Sequence, residues 1–310
     1  MAFRLKRSDF RIMTTIAEYR ILTVRQLVCV LAQNAQSVHR RLRDLQDAGL
    51  VLAQQRGHGR RRGRPEKIVS LTVAGVDALR SADMLSDDVP DESVTSKGIH
   101  CTQHQLLANW VQIHVSRIES VAAGLETRFL AAESPFLSAD GSTLIADSAL
   151  AGDGSKEHRF VPDGVFWIHC AEQDRTVLFF LEVDMGTEPL ASPRRNRRDI
   201  RQKILNYQAY FQGKSYKRYE AECGRPLRGF RTLFVTAGTT RFAGVCQLVR
   251  EMAPMDFIWV TEQKQLHESG VWGPIWARGG QMETDRQSIL GSRRPSLYPK
   301  PTDLLPTSGS

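Results

Sequence analysis

Residues 23–49 read TVRQLVCVLAQNAQSVHRRLRDLQDAG. Thr23 is suited to cap one short helix, TVRQLVCVL, and Asn34 to cap a second, NAQSVHRRLRDLQDAG, which ends at Gly49 before the apolar exit Leu50-Val51. About three residues join the two, as a helix-turn-helix requires. In the second helix Val38, Leu42 and Leu45 share one face, so Ser37, His39, Arg40, Arg41 and Arg43 project elsewhere. A helix that enters a DNA major groove needs such a polar, cationic face. Upstream, Phe10, Met13, Ile16 and Ala17 predict a helix from Ser8, as its cap, to Tyr19, broken by Arg20-Ile21-Leu22. Downstream, VLAQQR and KIVSLT predict a strand pair joined by GHGRRRGRPE, a tip of Gly and Arg that forms a wing.

Residues 1–80 are therefore expected to form a winged helix-turn-helix that binds double-stranded DNA. Ser37, Arg40 and Arg41 are the candidates for base edges or phosphates, with Arg43 beside them. Arg56, Arg60, Arg61, Arg62, Arg64 and Lys67 in the wing suit phosphate neutralisation or minor-groove insertion. Charge supports this assignment. Over residues 1–80, 16 Lys and Arg stand against 6 Asp and Glu, whereas the rest of the chain has 26 against 28.

At 310 residues the chain is long enough for two domains, and its 41% hydrophobic content is that of an ordinary globular protein. Five scattered cysteines without a CxxC pair read as reduced thiols and indicate neither zinc site nor disulfide framework. MAFRLKRSDF lacks an apolar signal segment, and no stretch has the 18 or so apolar residues of a membrane span, so a cytoplasmic protein with no membrane partner is expected.

SADMLSDDVPDESVTS reads as a surface linker, set at 81–98. Beyond it, residues 99–280 are expected to form a second domain with a helix near 102–119 and a strand at 126–131. Two apolar strands, RFVPDGVFWIH and TVLFFLEVD, precede a basic helix near 197–211; RTLFVTA, FAGVCQLVREM and DFIWV then supply strand, helix and strand. The order is α-β-β-β-α-β followed by α-β, an α+β chain whose second domain has a mixed central sheet. Residues 281–310, rich in Pro and Ser, read as a disordered tail.

Two carboxylates stand out. Asp163 follows Pro162 inside one expected strand, and Glu182 ends an almost wholly apolar one. An unpartnered buried anion costs several kcal/mol, so each needs a partner. A divalent cation is one such partner: oxygen ligands suit Mg²⁺, or Mn²⁺, which binds phosphate oxygens and activates water. Asp184, two residues on and on the same strand face, could add a ligand. The other partner is an arginine of ASPRRNRRDIRQK, where Arg194, Arg195, Arg197, Arg198, Arg201 and Lys203 could also flank a DNA backbone. Glu133 is a further acidic candidate. Tyr207 and Tyr210 read as core aromatics on an amphipathic helix rather than nucleophiles.

The PDG at 162–164, the EVD at 182–184 and the helix that follows resemble the PD-(D/E)XK nuclease fold. That resemblance implies metal ligation by Asp163 and Glu182. It places a lysine two residues after the Glu, where this chain has Asp184; Lys203 in the next helix could reach the same site. The whole chain resembles the replication-relaxation family, with an N-terminal winged helix and a nuclease-like C-terminal domain. His104 and Asn109 in HQLLAN, Pro162-Asp163, FFLEVDMGTE and KILNYQAY carry the likeness. It implies a role in plasmid or mobile-element DNA processing, relaxation or mobilisation. Two functions are expected from it: a Mg²⁺-dependent, relaxase-like DNA endonuclease, or a transcription or replication regulator whose inactive nuclease-like domain serves homodimerisation or partner binding. His104 and Asn109 are expected to hold satisfied structural roles, with ordering of the first helix of the second domain against the site as the alternative, and His104 stands with Glu133 as an additional site candidate.

Overall fold

The computed structural model describes residues 4–55, 66–131, 145–150, 157–192, 199–252 and 256–291. The fold is mixed α+β, and the described residues divide into two compact units, one ending at Ile113 and the other starting at His114.

The first unit contains α1 (Arg7–Tyr19), β1 (Ile21–Thr23), α2 (Val24–Leu31), α3 (Ala35–Asp47), β2 (Val51–Gln55), β3 (Lys67–Leu71), α4 (Val73–Arg80), α5 (Asp91–Val94) and α6 (Thr102–Val115) as far as Ile113. The strands form an antiparallel sheet in the order β1-β3-β2. Ile12, Met13, Ile16 and Ala17 of α1 are buried with Val38, Leu42 and Leu45 of α3. Thr23 caps α2 by accepting from Gln26 N at 3.1 Å while Gln26 Oε1 accepts from Thr23 N at 2.9 Å. Asn34 caps α3 by accepting from Gln36 N at 2.9 Å.

Three local expectations change. Ser8 lies inside α1: the cap position is Lys6, whose N–H donates to the Asp9 carboxylate at 2.8 Å, because an acid in the first turn can reach back to the exposed amide. Ile21-Leu22-Thr23, read only as a helix breaker, forms β1 and pairs with Ser70, Val69 and Ile68 of β3. The stretch read as a surface linker packs into this unit. Arg20 donates to Glu92 O and Lys97 O at 2.8 Å each and to Thr95 O at 3.3 Å, and Leu85 and Val94 are buried. Asp83, Asp87, Asp88 and Glu92 are exposed, so composition suggests a linker although Leu85 and Val94 join the core.

The second unit contains the end of α6, α7 (Ile118–Val121), β4 (Leu125–Ala131), β5 (Asp147–Leu150), β6 (Glu157–Phe160), β7 (Gly164–Cys170), β8 (Arg175–Asp184), α8 (Ile200–Gln212), α9 (Glu220–Cys223), β9 (Phe230–Thr236), α10 (Thr239–Glu251), β10 (Ile258–Glu262), α11 (Gln263–Ser269) and β11 (Ala277–Arg278). Its six-stranded sheet runs β11-β10-β9-β8-β7-β4. β4, β7 and β8 are antiparallel neighbours, and β8, β9 and β10 are parallel. β8 is thus interior, which suits its apolar run: Leu178, Phe179, Phe180 and Leu181 are fully buried.

The stretch 159–169 is two strands rather than one. β6 ends at Phe160, Pro162 lacks an amide to extend the ladder, and β7 begins at Gly164. Asp163 therefore stands at the mouth of β7, tied in by its N–H to Leu181 O at 2.9 Å. Gly164 is required there because a Cβ would run into the Phe129 ring from β4. Order continues past residue 280. Ile289 and Leu290 are buried, Trp276 and Gln287 pair, and Ser288 Oγ donates to Trp272 O at 2.6 Å, because this apolar pair has a core to cover; residues 292–310 lie outside the described residues. Among the described residues no helix is long and apolar enough to cross a membrane.

Candidate functional site

On α3 of the first unit, Ser37, Arg40 and Arg43 are exposed. Arg41 is not available in the same way. Its Nε donates to Asp9 Oδ1 at 2.7 Å, its Nη1 to Asp44 Oδ2 at 2.8 Å, and its Nη2 also meets Asp9, which is fully buried. Arg41 thus fastens α3 to α1 instead of standing out as a base-reading side chain. A groove of about 590 Å³ runs between α2, α3 and the β2-β3 pair; Val24, Val28, Leu42 and Val69 line it with Arg25, His39, Arg43 and Lys67. Arg25 was not singled out by sequence, since nothing local tells it from an ordinary surface cation, and His39 was given no role. Arg56, Arg60, Arg61, Arg62 and Arg64 lie outside the described residues.

In the second unit, β7, β8 and α8 bring Asp163, Glu182 and Lys203 together. Asp163 Oδ2 accepts from Val183 N at 2.7 Å, across the ladder from the mouth of β7. Glu182, 5% exposed, accepts from Tyr207 Oη at 2.7 Å on Oε1 and from Lys203 Nζ at 3.2 Å on Oε2. Lys203 and Tyr207 are four residues apart on α8, hence on one face. Asp199 caps that helix by accepting from Gln202 N at 2.7 Å. Near the other end of α8, Asp147 accepts from Tyr210 Oη at 2.9 Å and Tyr219 Oη at 2.7 Å and pairs with Arg218 Nε at 2.6 Å, fixing the helix against β5.

Burial above all holds the Glu182 carboxyl up at about 7 although Lys203 and the Tyr207 hydrogen bond lower it, and the neighbouring Asp163 charge adds to the rise. Burial opposes the Lys203 charge, but Glu182, Glu188 and Asp163 outweigh it and hold the ammonium above its ordinary value. The Tyr207 hydroxyl is raised well above the usual phenol by burial and then by Glu182, so it stays a neutral donor. A buried carboxylate beside a second, half-buried one, the two held by one lysine, fits a divalent cation. Mg²⁺ commonly takes one or two carboxylates and completes its shell with water and phosphate.

The chain belongs to the replication-relaxation family. That family matches residues 13–224, a span that contains α3, Asp163, Glu182 and Lys203. No curated protein and no solved structure matches the chain. Membership associates this replication-relaxation protein with replication or relaxation of plasmid or mobile-element DNA.

Other expected site residues fall elsewhere. Asp184, expected as a third ligand, is taken by Arg241 of α10, through Nε at 2.5 Å and Nη2 at 3.1 Å, and by Gly186 N at 2.9 Å. This ion pair consumes both oxygens, which explains how an acid survives where the resemblance has a lysine. Among the described residues no three His, Cys, Asp or Glu side chains converge as a ready metal cage. His104 is half-buried on the part of α6 in the first unit. Asn109, also there, donates to Ile21 O at 2.6 Å and Tyr19 O at 3.3 Å, so it orders the first unit rather than the helix lead of the second. Glu133 and Arg194, Arg195, Arg197 and Arg198 lie outside the described residues, and Arg201 is exposed on α8. Sequence reasoning took Tyr207 for core and missed its hydroxyl on Glu182; the spacing Lys203 to Tyr207 was the available signal.

Proposed function

We propose that this protein binds double-stranded DNA at a chosen site through its N-terminal unit and nicks it with Mg²⁺ at Asp163 and Glu182. The order α1-β1-α2-α3-β2-β3, with a small antiparallel sheet behind α3, supports a winged helix-turn-helix. Arg40 and Arg43, both exposed on α3, are then the cations offered to the DNA, and Arg43 also lines the protein's own groove with Arg25 and Lys67. With α7, the separate β5-β6 pair and α9 set aside, the succession α6-β4-β7-β8-α8-β9, with β8 interior to a mixed sheet, supports a PD-(D/E)XK nuclease fold. The observation that carries the nuclease reading is the neighbourhood of Asp163, Glu182 and Lys203: Lys203 pairs with Glu182, Asp163 accepts from the amide of the next residue, Val183, and its charge acts on both.

When bound, Mg²⁺ supplies Lewis acidity toward a phosphodiester and a more acidic water. Asp163 and Glu182 would hold it. Tyr207 donates to Glu182 and so fixes which oxygen is presented. Lys203, kept cationic by its acidic neighbours, stabilises charge that develops on the phosphate oxygens. Tyr207 cannot serve as a nucleophile in this arrangement, because its hydroxyl is buried and its proton is held toward Glu182.

A specific observation favours a second reading, a DNA-binding replication or transcription regulator with an inactive nuclease-like domain that dimerises or binds a partner. Lys203 already neutralises Glu182, and Asp184 is locked by Arg241. Calorimetric titration of Mn²⁺ into the full chain, alone and with duplex DNA, separates the two. The nuclease reading expects saturable binding that is lost in Asp163→Asn and Glu182→Gln. No binding with DNA present leaves the regulator.

A further inference from the structure

Lys203 has two carboxylate partners. Its Nζ lies 3.2 Å from Glu182 Oε2 and 3.1 Å from Glu188 Oε2. Glu188 sits between β8 and α8, in a segment that is not left loose. Arg241 grips Asp184 at the end of β8 and also donates from Nη2 to Glu188 O at 2.7 Å. Gly186 N, between them, donates to Asp184 Oδ1 at 2.9 Å. Asp184, Arg241 and the backbone around Glu188 thus form a brace that determines where the Glu188 carboxylate stands. Glu182 is buried, whereas the Glu188 side chain is about one-third exposed at 32%.

The two acids are therefore unequal partners for one ammonium. A divalent cation at Asp163 and Glu182 would take over the neutralisation of Glu182 and repel Lys203 from it. Without a second anion in reach, the ammonium would either compete with the cation for Glu182 or swing out to solvent. We infer that Glu188 is a positioning residue that retains Lys203 beside the site when a divalent cation occupies Glu182, and that Asp184 with Arg241 braces Glu188 for this purpose. The inference rests on the metal-dependent reading above. It also gives the Asp184–Arg241 pair a role that metal ligation does not.

The test is Mn²⁺ affinity by calorimetry on the full chain, read for wild type, Glu188→Gln, Lys203→Met, the double variant and Arg241→Gln. Glu188→Gln should weaken Mn²⁺ binding by about tenfold, the lower end of what supporting residues around metal ligands contribute. With Lys203→Met present there is no ammonium to retain, so adding Glu188→Gln should change affinity by no more than about twofold. Arg241→Gln, which keeps the Glu188 charge but removes the brace and leaves the buried Asp184 unpaired, should weaken binding in the same direction in a chain whose circular dichroism matches wild type. If Glu188→Gln binds Mn²⁺ like wild type while Asp163→Asn abolishes binding, the inference fails and the metal site stands. An equal loss in both Lys203 backgrounds would make Glu188 a ligand in its own right and also overturns it. Absence of binding in wild type removes the metal-dependent reading and this inference together.

Discussion

Replacing Arg41 by Ala separates two roles for one residue. Asp9 is fully buried and receives both the Nε and Nη2 of Arg41, with one further donation from Lys6 N. Removing the guanidinium leaves a buried carboxylate with little compensation, a situation that costs about 3–5 kcal/mol. For a unit of this size that is a fall in melting midpoint on the order of 12 °C or more. Arg43→Ala on the same helix, where the side chain is exposed, should stay within about 0.5 kcal/mol of wild type. Urea unfolding of the full chain, followed by hydrogen exchange in peptides from 7–19 and 35–47, assigns the loss to α1 and α3. Asp9→Asn combined with Arg41→Gln should recover part of it, since no buried charge then remains. If Arg41→Ala keeps wild-type stability and instead relaxes DNA sequence preference, the fastening role is wrong and Arg41 reads bases.

Replacing Arg60, Arg61 and Arg62 together by Ala should flatten the slope of log affinity against log salt by up to about three units, whereas Arg40→Ala should relax sequence preference; an unchanged slope would show that these three arginines do not touch phosphate. Burial, with His267 adding to it, pushes the fully buried His114 down to about 3 from an ordinary 6.5, so the unfolded chain binds a proton that the folded unit refuses. The stability tied to neutral His114 is present above about pH 6.5 and is lost as pH falls toward 3, about 1.4 kcal/mol by pH 5.5; His114 ring resonances that titrate near 6.5 in the folded chain would refute this. Gly164→Ala should cost about 1–3 kcal/mol in denaturant unfolding by driving a methyl into Phe129, and Phe129→Leu in the same chain should recover part; a neutral Gly164→Ala would show that β4 can yield there.

What was legible in the sequence depended on how local the cause was. The caps Thr23 and Asn34 and the spacing of Val38, Leu42 and Leu45 act within a turn or two, and they located α2 and α3. Asp163 and Glu182 were visible because carboxylates in apolar strands demand a partner. The partners themselves were not visible. Arg41 reaches Asp9 across 32 residues and Arg241 reaches Asp184 across 57, so two ions that looked available are consumed by contacts no local pattern encodes. β1 escaped for a related reason: three residues become a strand only because β3 arrives from far along the chain. The acidic stretch 81–98 looked like a linker by composition, while Arg20, from another element, gathers three of its carbonyls.

The central claim is that Asp163 and Glu182 support metal-dependent DNA cleavage while a separate unit binds the duplex. Supercoiled plasmid carrying the native element, incubated with full-length protein and Mg²⁺ or Mn²⁺, reads it directly on a gel. Wild type should convert the supercoiled form to open circles only when the metal is present. Asp163→Asn and Glu182→Gln, which keep side-chain volume and remove one charge, should abolish nicking and still retard duplex DNA as wild type does. Plasmid left supercoiled by wild type, or nicked equally by both variants, would contradict the account.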